Sequence, residues 1–200
     1  MIEISNLGVS FNKLNVLNNV NYSFLENEFY LIKARNGSGK STLLNAIFGL
    51  VPFTGKIYAS VPQRNVFYLP NDFEFDSTMT GIDYLEYIKF IWKSDVVIDH
   101  VVTELNMTEY IKRRVSSYSL GMHKMLTLAL YLVSDTKYWL IDELNNGLDE
   151  VNLEKLILIL TSEMSKKNKL IIFVTHQPDD LALIESKLLT LRGGELIEQD

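Results

Sequence analysis

The chain contains no cysteine and only three histidines, His100, His123 and His176. Disulfides, thiolate-held metals and thiol redox chemistry are thereby excluded, a histidine-cluster metal site is disfavoured, and a reducing compartment suits the composition. Long apolar runs are missing as well. The longest, "LILIL" and "LIIFV", fall far short of the roughly 20 residues that cross a bilayer. The N-terminal "MIEISNLGVSF" alternates polar and apolar residues and has no basic segment followed by an apolar block, so no signal peptide is expected. Positive charge is not in excess either: 19 Lys and Arg against 25 Asp and Glu leave a net charge of −6, so no general field draws in nucleic acid or an anionic membrane. A phosphate-bearing ligand therefore needs a local device. The chain is expected to be soluble, with any membrane role running through a partner.

What is present suits one globular domain over residues 1–200, since a chain with 47% hydrophobic residues can bury a sizeable core. Residues 2–11 and 16–24 alternate as two strands joined by the polar turn "NKLN"; "EFYLIKA", "GKIYAS" and "VFYLP" read as further strands. "KSTLLNAIFGL" reads as a helix with Gly49 near its end. From about 78 to 134 the apolar spacing turns helical (Ile82, Leu85, Ile88, Ile91, then Leu126, Ala129, Leu130, Val133), which predicts an inserted helical subdomain around 72–134. Afterwards the short runs "YWLI", "LIIFV" and "LLTL" alternate with helical segments at 150–166 and 178–185, and "LRGGELIE" reads as a closing hairpin. Continuous apolar strands bounded by helices predict a parallel sheet covered on both faces.

The stretch "LIKARNGSGKST" is the chemically informative one. A strand runs into a glycine-rich loop that opens a helix, so backbone N–H groups and the helix N-terminus converge on one point, an arrangement suited to phosphate. Asn36, Gly37, Ser38, Gly39, Lys40, Ser41 and Thr42 are the candidate ligands. In this P-loop pattern Lys40 reaches the β- and γ-phosphates and Ser41 holds Mg²⁺. Ala34 stands where the pattern usually has its first glycine; if it had to take positive φ, the cost would be about 1–2 kcal/mol. Further along, "KYWLIDE" delivers two carboxylates at the end of an apolar strand. Asp142 is positioned for Mg²⁺ and Glu143 for polarising a water, a Walker B pattern that gains its meaning from the P-loop.

In "SSYSLGMHKMLTLAL", residues 116–130, Ser119 and Gly121 open another helix. Here the sequence resembles the signature motif of ATP-binding cassette (ABC) proteins, usually written LSGGQ. "NNGLDE", with Asp149, is similar to the D-loop of that family, and "IIFVTHQ" ends in His176 like its switch histidine. "YLPND" followed by "MTGIDYL" looks like the Q-loop segment, with Asn71 at the usual glutamine; Gln63 is a rival whose spacing is too long. Phe11 falls where the family places an aromatic on adenine, and it reads equally as a core residue of an edge strand.

The resemblance covers essentially the whole chain and implies an α/β P-loop NTPase with a RecA-like parallel sheet core, an N-terminal antiparallel β subdomain and the helical insertion. It further implies ATP and Mg²⁺ as cofactors. Hydrolysis would use Lys40, Glu143 and His176, with Ser41, Asp142 and Asn71 toward the metal. The implied partners are a separate transmembrane permease subunit and a second nucleotide-binding subunit. In that dimer Ser119 and Gly121 serve the ATP on the opposite chain, with Asp149 at the same interface, and the complex sits on the inner face of the cell membrane. The signature looks most like exporters of the drug and bacteriocin-immunity type. Departures from the family pattern fall at Ala34, Asn71, Leu120, Met122 and Leu144, and Asn71 matters most because its amide sits on a shorter arm. Rival readings are a nontransport ABC ATPase, which usually carries two cassettes or a long coiled coil; a GTPase or nucleotide kinase, although "NKLN" lacks the guanine-reading aspartate; and a non-hydrolysing regulatory switch. His100 and His123 are expected as exposed helical residues and "KRR" at 112–114 as a solvated face. Tyr84, Tyr87, Phe90, Ile91 and Trp92 are expected mostly in the core of the helical subdomain, with part of that helix lining a partner groove.

Overall fold

A computed structural model describes all residues except 13, 167 and 200. Lys13, within the expected "NKLN" turn, lies outside the described residues. Strands β1 (Ile2–Phe11), β2 (Leu14–Phe24) and β4 (Thr54–Ala59) form an antiparallel sheet in the order β2-β1-β4. The second sheet contains β3 (Glu28–Lys33), β5 (Val66–Tyr68), β6 (Tyr138–Asp142), β7 (Leu170–Thr175), β8 (Lys187–Arg192) and β9 (Glu195–Glu198), in the order β5-β6-β7-β3-β8-β9. Its first five members run parallel, and β9 closes it antiparallel. The β8–β9 turn is made by Gly193 and Gly194 with φ of 61° and 82°, the left-handed values that a two-residue hairpin requires.

The apolar strands are continuous because the sheet buries both faces. Along β6, Tyr138 and Leu140 join one cluster with β1, β2 and the helix α1 (Lys40–Phe48), while Trp139 and Ile141 join the other. On that second side lie α2 (Gly81–Trp92), α3 (Ile98–Glu104), α4 (Leu120–Ser134) and α5 (Glu150–Met164). Along β7, Ile171 and Phe173 face these helices, and Leu170, Ile172 and Val174 face α1 and the antiparallel sheet. The start of α2 is held by a reciprocal cap. Thr80 Oγ1 accepts from Asp83 N–H, and the Asp83 carboxylate accepts from Thr80 N–H at 2.8 Å.

Several sequence expectations are corrected. The segment 178–185 makes only a short 3₁₀ turn, Pro178–Leu181, because Leu181 and Ile184 are anchored in the core and β8 begins at Lys187, leaving no room for a further helical turn. On α2 the buried stripe is Tyr84, Leu85 and Ile88, with Trp92 against Phe67 at 5.1 Å. Tyr87, Phe90 and Ile91 instead lie on the solvent side, 55%, 78% and 48% exposed, since they fall outside that stripe. His100 is exposed as expected. His123 is only half-buried, with ring centroids 5.5 Å from Phe75 and 5.6 Å from Tyr118. Ala34 does not take positive φ; it is buried beside β7, where its N–H donates to Thr175 O at 3.1 Å. The strain considered for this position is absent.

One buried charge cluster lies under the base of the sheet. Lys169 Nζ is 2.7 Å from Glu163 Oε2, donates to Thr136 O at 2.9 Å and sits 3.7 Å over the Trp139 ring. Burial lowers the pKa of this amine to about 8 from the usual 10.5, against the opposing pull of Glu163. Because the folded-state value is the lower one, the unfolded chain holds the proton more tightly, and this group adds stability as pH rises from about 8 toward 10.5. Removing the counter-charge with Glu163→Leu is expected to cost about 3 kcal/mol in urea denaturation near pH 7. The gap to the parent chain is expected to narrow as Lys169 becomes neutral at higher pH; a gap independent of pH would contradict the ion-pair account.

Candidate nucleotide site

Sheet register brings three distant segments to one edge. Lys33 pairs with Thr175 across β3 and β7, and Asp142 pairs with Val174 across β6 and β7. The glycine-rich loop, the two carboxylates and His176 therefore leave the sheet side by side at the carboxyl ends of parallel strands, where ligands of open α/β sheets bind. Gly39 makes the loop possible: its φ is 100°, and a Cβ there would stand 2.9 Å from the Val16 side chain. Gly37, with φ 77°, has nothing within 4 Å of the Cβ position, which leaves open space over the loop.

The three residues assigned to catalysis converge on one atom. Glu143 Oε1 lies 2.9 Å from Lys40 Nζ and 2.9 Å from His176 Nδ1. Burial alone would raise the Glu143 pKa, but hydrogen bonds from Lys40 and His176 outweigh it and the net shift is downward. The carboxylate is thus ionised and can only accept, so Nδ1 of His176 carries the proton in this contact. Lys40 is buried, and its ammonium also donates to Arg35 O and Asn36 Oδ1, both at 3.1 Å. Glu143 itself has a left-handed backbone, φ 50°, a conformation that costs a non-glycine residue about 1–2 kcal/mol and needs surrounding structure to hold it. Its N–H donates to Val174 O at 2.9 Å, and its carbonyl accepts from Lys124 Nζ at 3.0 Å. Leu144, only 2% exposed, follows directly.

Beside this group Ser41 Oγ donates to Asp142 Oδ2 at 2.5 Å. The other oxygen, Asp142 Oδ1, is buried and has no hydrogen-bond partner among the described residues. Burial raises the Asp142 pKa, with the Ser41 hydrogen bond opposing. A hydroxyl and a carboxylate with an unsatisfied oxygen form a hard oxygen donor set of the kind Mg²⁺ takes, usually with substrate phosphates completing the shell. The residues present fit that ion.

The remaining candidates are placed as follows. Ser38 Oγ is buried with no hydrogen-bond partner among the described residues, and Thr42 is half-buried in the first turn of α1. Phe11 ends β1, 43% exposed, so it is not a core residue. Asn71 faces a cleft of about 600 Å³ shared with Lys124 and Asp142, yet its Oδ1 accepts from Lys124 Nζ at 2.8 Å rather than joining the Ser41–Asp142 pair. Ser119 caps α4 by accepting from Met122 N–H at 3.2 Å, with Gly121 in the first turn, and Asp149 caps α5 by accepting from Asn152 N–H at 2.9 Å. Ser119 and Asp149 thus make local bonds, and none of the three is among the partners of the Lys40 ammonium. Two residues escaped sequence reasoning. Lys124 is one; its signal was a lone lysine inside the apolar run "MHKMLTLAL". The other is buried Asn145, whose Nδ2 donates to Asp180 Oδ2 at 2.7 Å and Gln177 O at 3.2 Å, tying the turn after the carboxylates to the turn after His176.

The sequence profile described as ABC transporter matches residues 17–146, more than half of the chain. The chain belongs to the ABC transporter ATP-binding family. Among curated relatives, the lantibiotic transport ATP-binding protein SrtF of Streptococcus pyogenes is 27% identical, the alignment covering 100% of this chain and 95% of the relative. The molybdate import ATP-binding protein MolC of Haemophilus influenzae is 27% identical over 95% of this chain and 78% of its own. A solved ATP-binding subunit of an ABC transporter superposes with a TM-score of 0.88 at 19% identity, covering 98% of this chain and 88% of that one, a likeness of fold. This ABC domain is an α/β P-loop fold of an ATP-binding family whose members hydrolyse ATP. Among the described residues, no helix is long and apolar enough to cross a membrane.

The ion pair at the centre of the site has a direct readout. In Lys40→Ala the Glu143 carboxyl loses its strongest downward influence, so it is expected to titrate at higher pH when followed by carboxyl-carbon resonance. ATP affinity is expected to fall by about tenfold or more with loss of the ammonium. An unmoved titration would show that Lys40 does not control the charge on Glu143.

Proposed function

We propose that this chain is the ATP-hydrolysing subunit that drives a separate membrane-spanning permease, working from the cytoplasmic face of the membrane and in the direction of export. The observation that carries the catalytic part is the sharing of Glu143 Oε1 by Lys40 and His176 beside the Ser41–Asp142 pair. Phosphate oxygens at the loop compete with Glu143 for the Lys40 ammonium, since both form charge-assisted hydrogen bonds with it. As Lys40 turns to phosphate, Glu143 keeps His176 and regains basicity, because one of the two hydrogen bonds that lower its pKa has gone. Glu143 then takes a proton from a water aimed at the γ-phosphate, and His176 orients the carboxylate. Ser41 and Asp142 would hold Mg²⁺, which supplies charge neutralisation to the β- and γ-phosphate oxygens.

Export rests on the resemblance of the "YSLGM" signature to exporters; the relatives, one named for lantibiotic transport and one for molybdate import, make direction the finer part of the proposal. ATP-dependent dimerisation, with Ser119, Gly121 and Asp149 of one chain facing the P-loop of another, follows from the family resemblance. Ser119 and Leu120, at the N-terminus of α4, are exposed, and a helix start has backbone donors without intrahelical partners for that use. Glu143→Gln is expected to bind ATP with unchanged affinity, accumulate the ATP-bound form and lose ATP turnover by about 10²-fold or more. Turnover equal to the parent would remove Glu143 as the base. Recovery of a multi-span membrane protein with the tagged chain, and transport of its substrate out of sealed cells, test the permease and the direction separately.

A further inference from the structure

Lys124 is a charged side chain without a part in the chemistry above. It sits in the second turn of α4, and its ammonium reaches across a cleft to two acceptors on different walls: Asn71 Oδ1 at 2.8 Å and the Glu143 carbonyl at 3.0 Å. Asn71 belongs to the loop between β5 and α2. That loop is pinned at one end by Leu69 N–H donating to the Tyr131 hydroxyl and at the other by Asp76 N–H donating to the Tyr84 hydroxyl. Between those pins, among the described residues, the one hydrogen bond that segment 70–75 makes outside itself is Asn71 with Lys124.

The other acceptor is equally telling. Glu143 is the residue whose left-handed backbone must be held by its surroundings, and its carbonyl is the group that Lys124 holds. With its N–H on Val174 O and its carbonyl on Lys124 Nζ, Glu143 is held on both sides of its Cα, which limits the backbone shifts that would carry its carboxylate with them. An ammonium suits the task because it offers three donors and can serve two acceptors at once. Asparagine brings a short arm to one side of the cleft, and the four-carbon lysine stem spans the rest.

We infer that Lys124 is a positioning residue: its ammonium ties the Asn71 loop to the Glu143 carbonyl, so that the loop beside the helical unit sets the aim of the general base. The kinetic half of this inference rests on the reading of Glu143 as that base; the tether itself does not.

The test compares full-length Lys124→Met, Lys124→Arg, Asn71→Ala and the Lys124→Met/Asn71→Ala double variant. Amide hydrogen exchange is followed at 70–75 and 143–146, alongside steady-state ATP turnover. Lys124→Met is expected to speed exchange about tenfold in both segments and to lower kcat about tenfold while KM for ATP changes less than about threefold. Asn71→Ala, at an exposed position, is expected to speed exchange at 143–146 although it does not touch that segment. In the double variant kcat is expected to fall no further than in Lys124→Met, since both changes cut the same link. Lys124→Arg, which keeps two donors, is expected to restore slow exchange and most of kcat. Unchanged exchange at 143–146 in both Asn71→Ala and Lys124→Met, or kcat losses that multiply in the double variant, overturns the inference. If the parent chain binds ATP without hydrolysing it, the assignment of Glu143 as base fails, and the exchange data still decide the tether.

Discussion

One carboxylate oxygen organises this molecule's working edge. Glu143 Oε1 accepts from the first residue of α1 and from the residue just past β7, while Glu143 itself directly follows β6. Three chain segments far apart in sequence are thereby locked into one charge network, and each member changes what the others can do. Lys40 and His176 keep the carboxylate ionised against the burial that favours its neutral form. The carboxylate in turn compensates a lysine that is buried and would otherwise be costly. Anionic oxygens of a phosphate would compete with Glu143 for the ammonium, which is the physical ground of the proposal that nucleotide arrival changes the charge balance at this carboxylate.

The network depends on the parallel sheet beneath it. The pairing of Asp142 with Val174 and of Lys33 with Thr175 decides that the loop, the carboxylates and His176 emerge together. A slip of one residue in β7 would turn Ile171 and Phe173 from the helical side to the other face, a change opposed by both core clusters. The core therefore secures the geometry of this edge against a one-residue slip. Further from the sheet, single side chains do the joining: Asn145 links the turn after the carboxylates to the turn after His176, and Lys124 links α4, the Asn71 loop and Glu143.

Where sequence reasoning succeeded, the signal was local. The glycine-rich loop between strand and helix, the strand that delivers Asp142 and Glu143, the helix start at Ser119 and the Gly193–Gly194 hairpin are each consequences of a few adjacent residues, so they are legible in the residue order alone. Where it failed, the deciding contact came from elsewhere in the chain. The stretch 178–185 carries helical spacing, but the core anchors at Leu181 and Ile184 and the start of β8 at Lys187 limit it to one short turn. Tyr87, Phe90 and Ile91 are apolar enough for a core, yet α2 presents another stripe to α4. Ala34 looked strained against a glycine pattern, while its actual backbone simply continues toward β7.

By itself, the sequence determined the repertoire: which loop can hold phosphate, which strand delivers carboxylates, and that no cysteine chemistry, long apolar span or broad basic field is available. Only the tertiary structure decided who meets whom. It put Lys40 and His176 on the same oxygen of Glu143, left one oxygen of buried Asp142 without a partner among the described residues, and gave Asn71 to Lys124 instead of to the Ser41–Asp142 pair. The reason is that motif chemistry is written in neighbouring residues, whereas partner choice depends on strand register and on the direction of each helix face. Both are settled by burial across the whole chain.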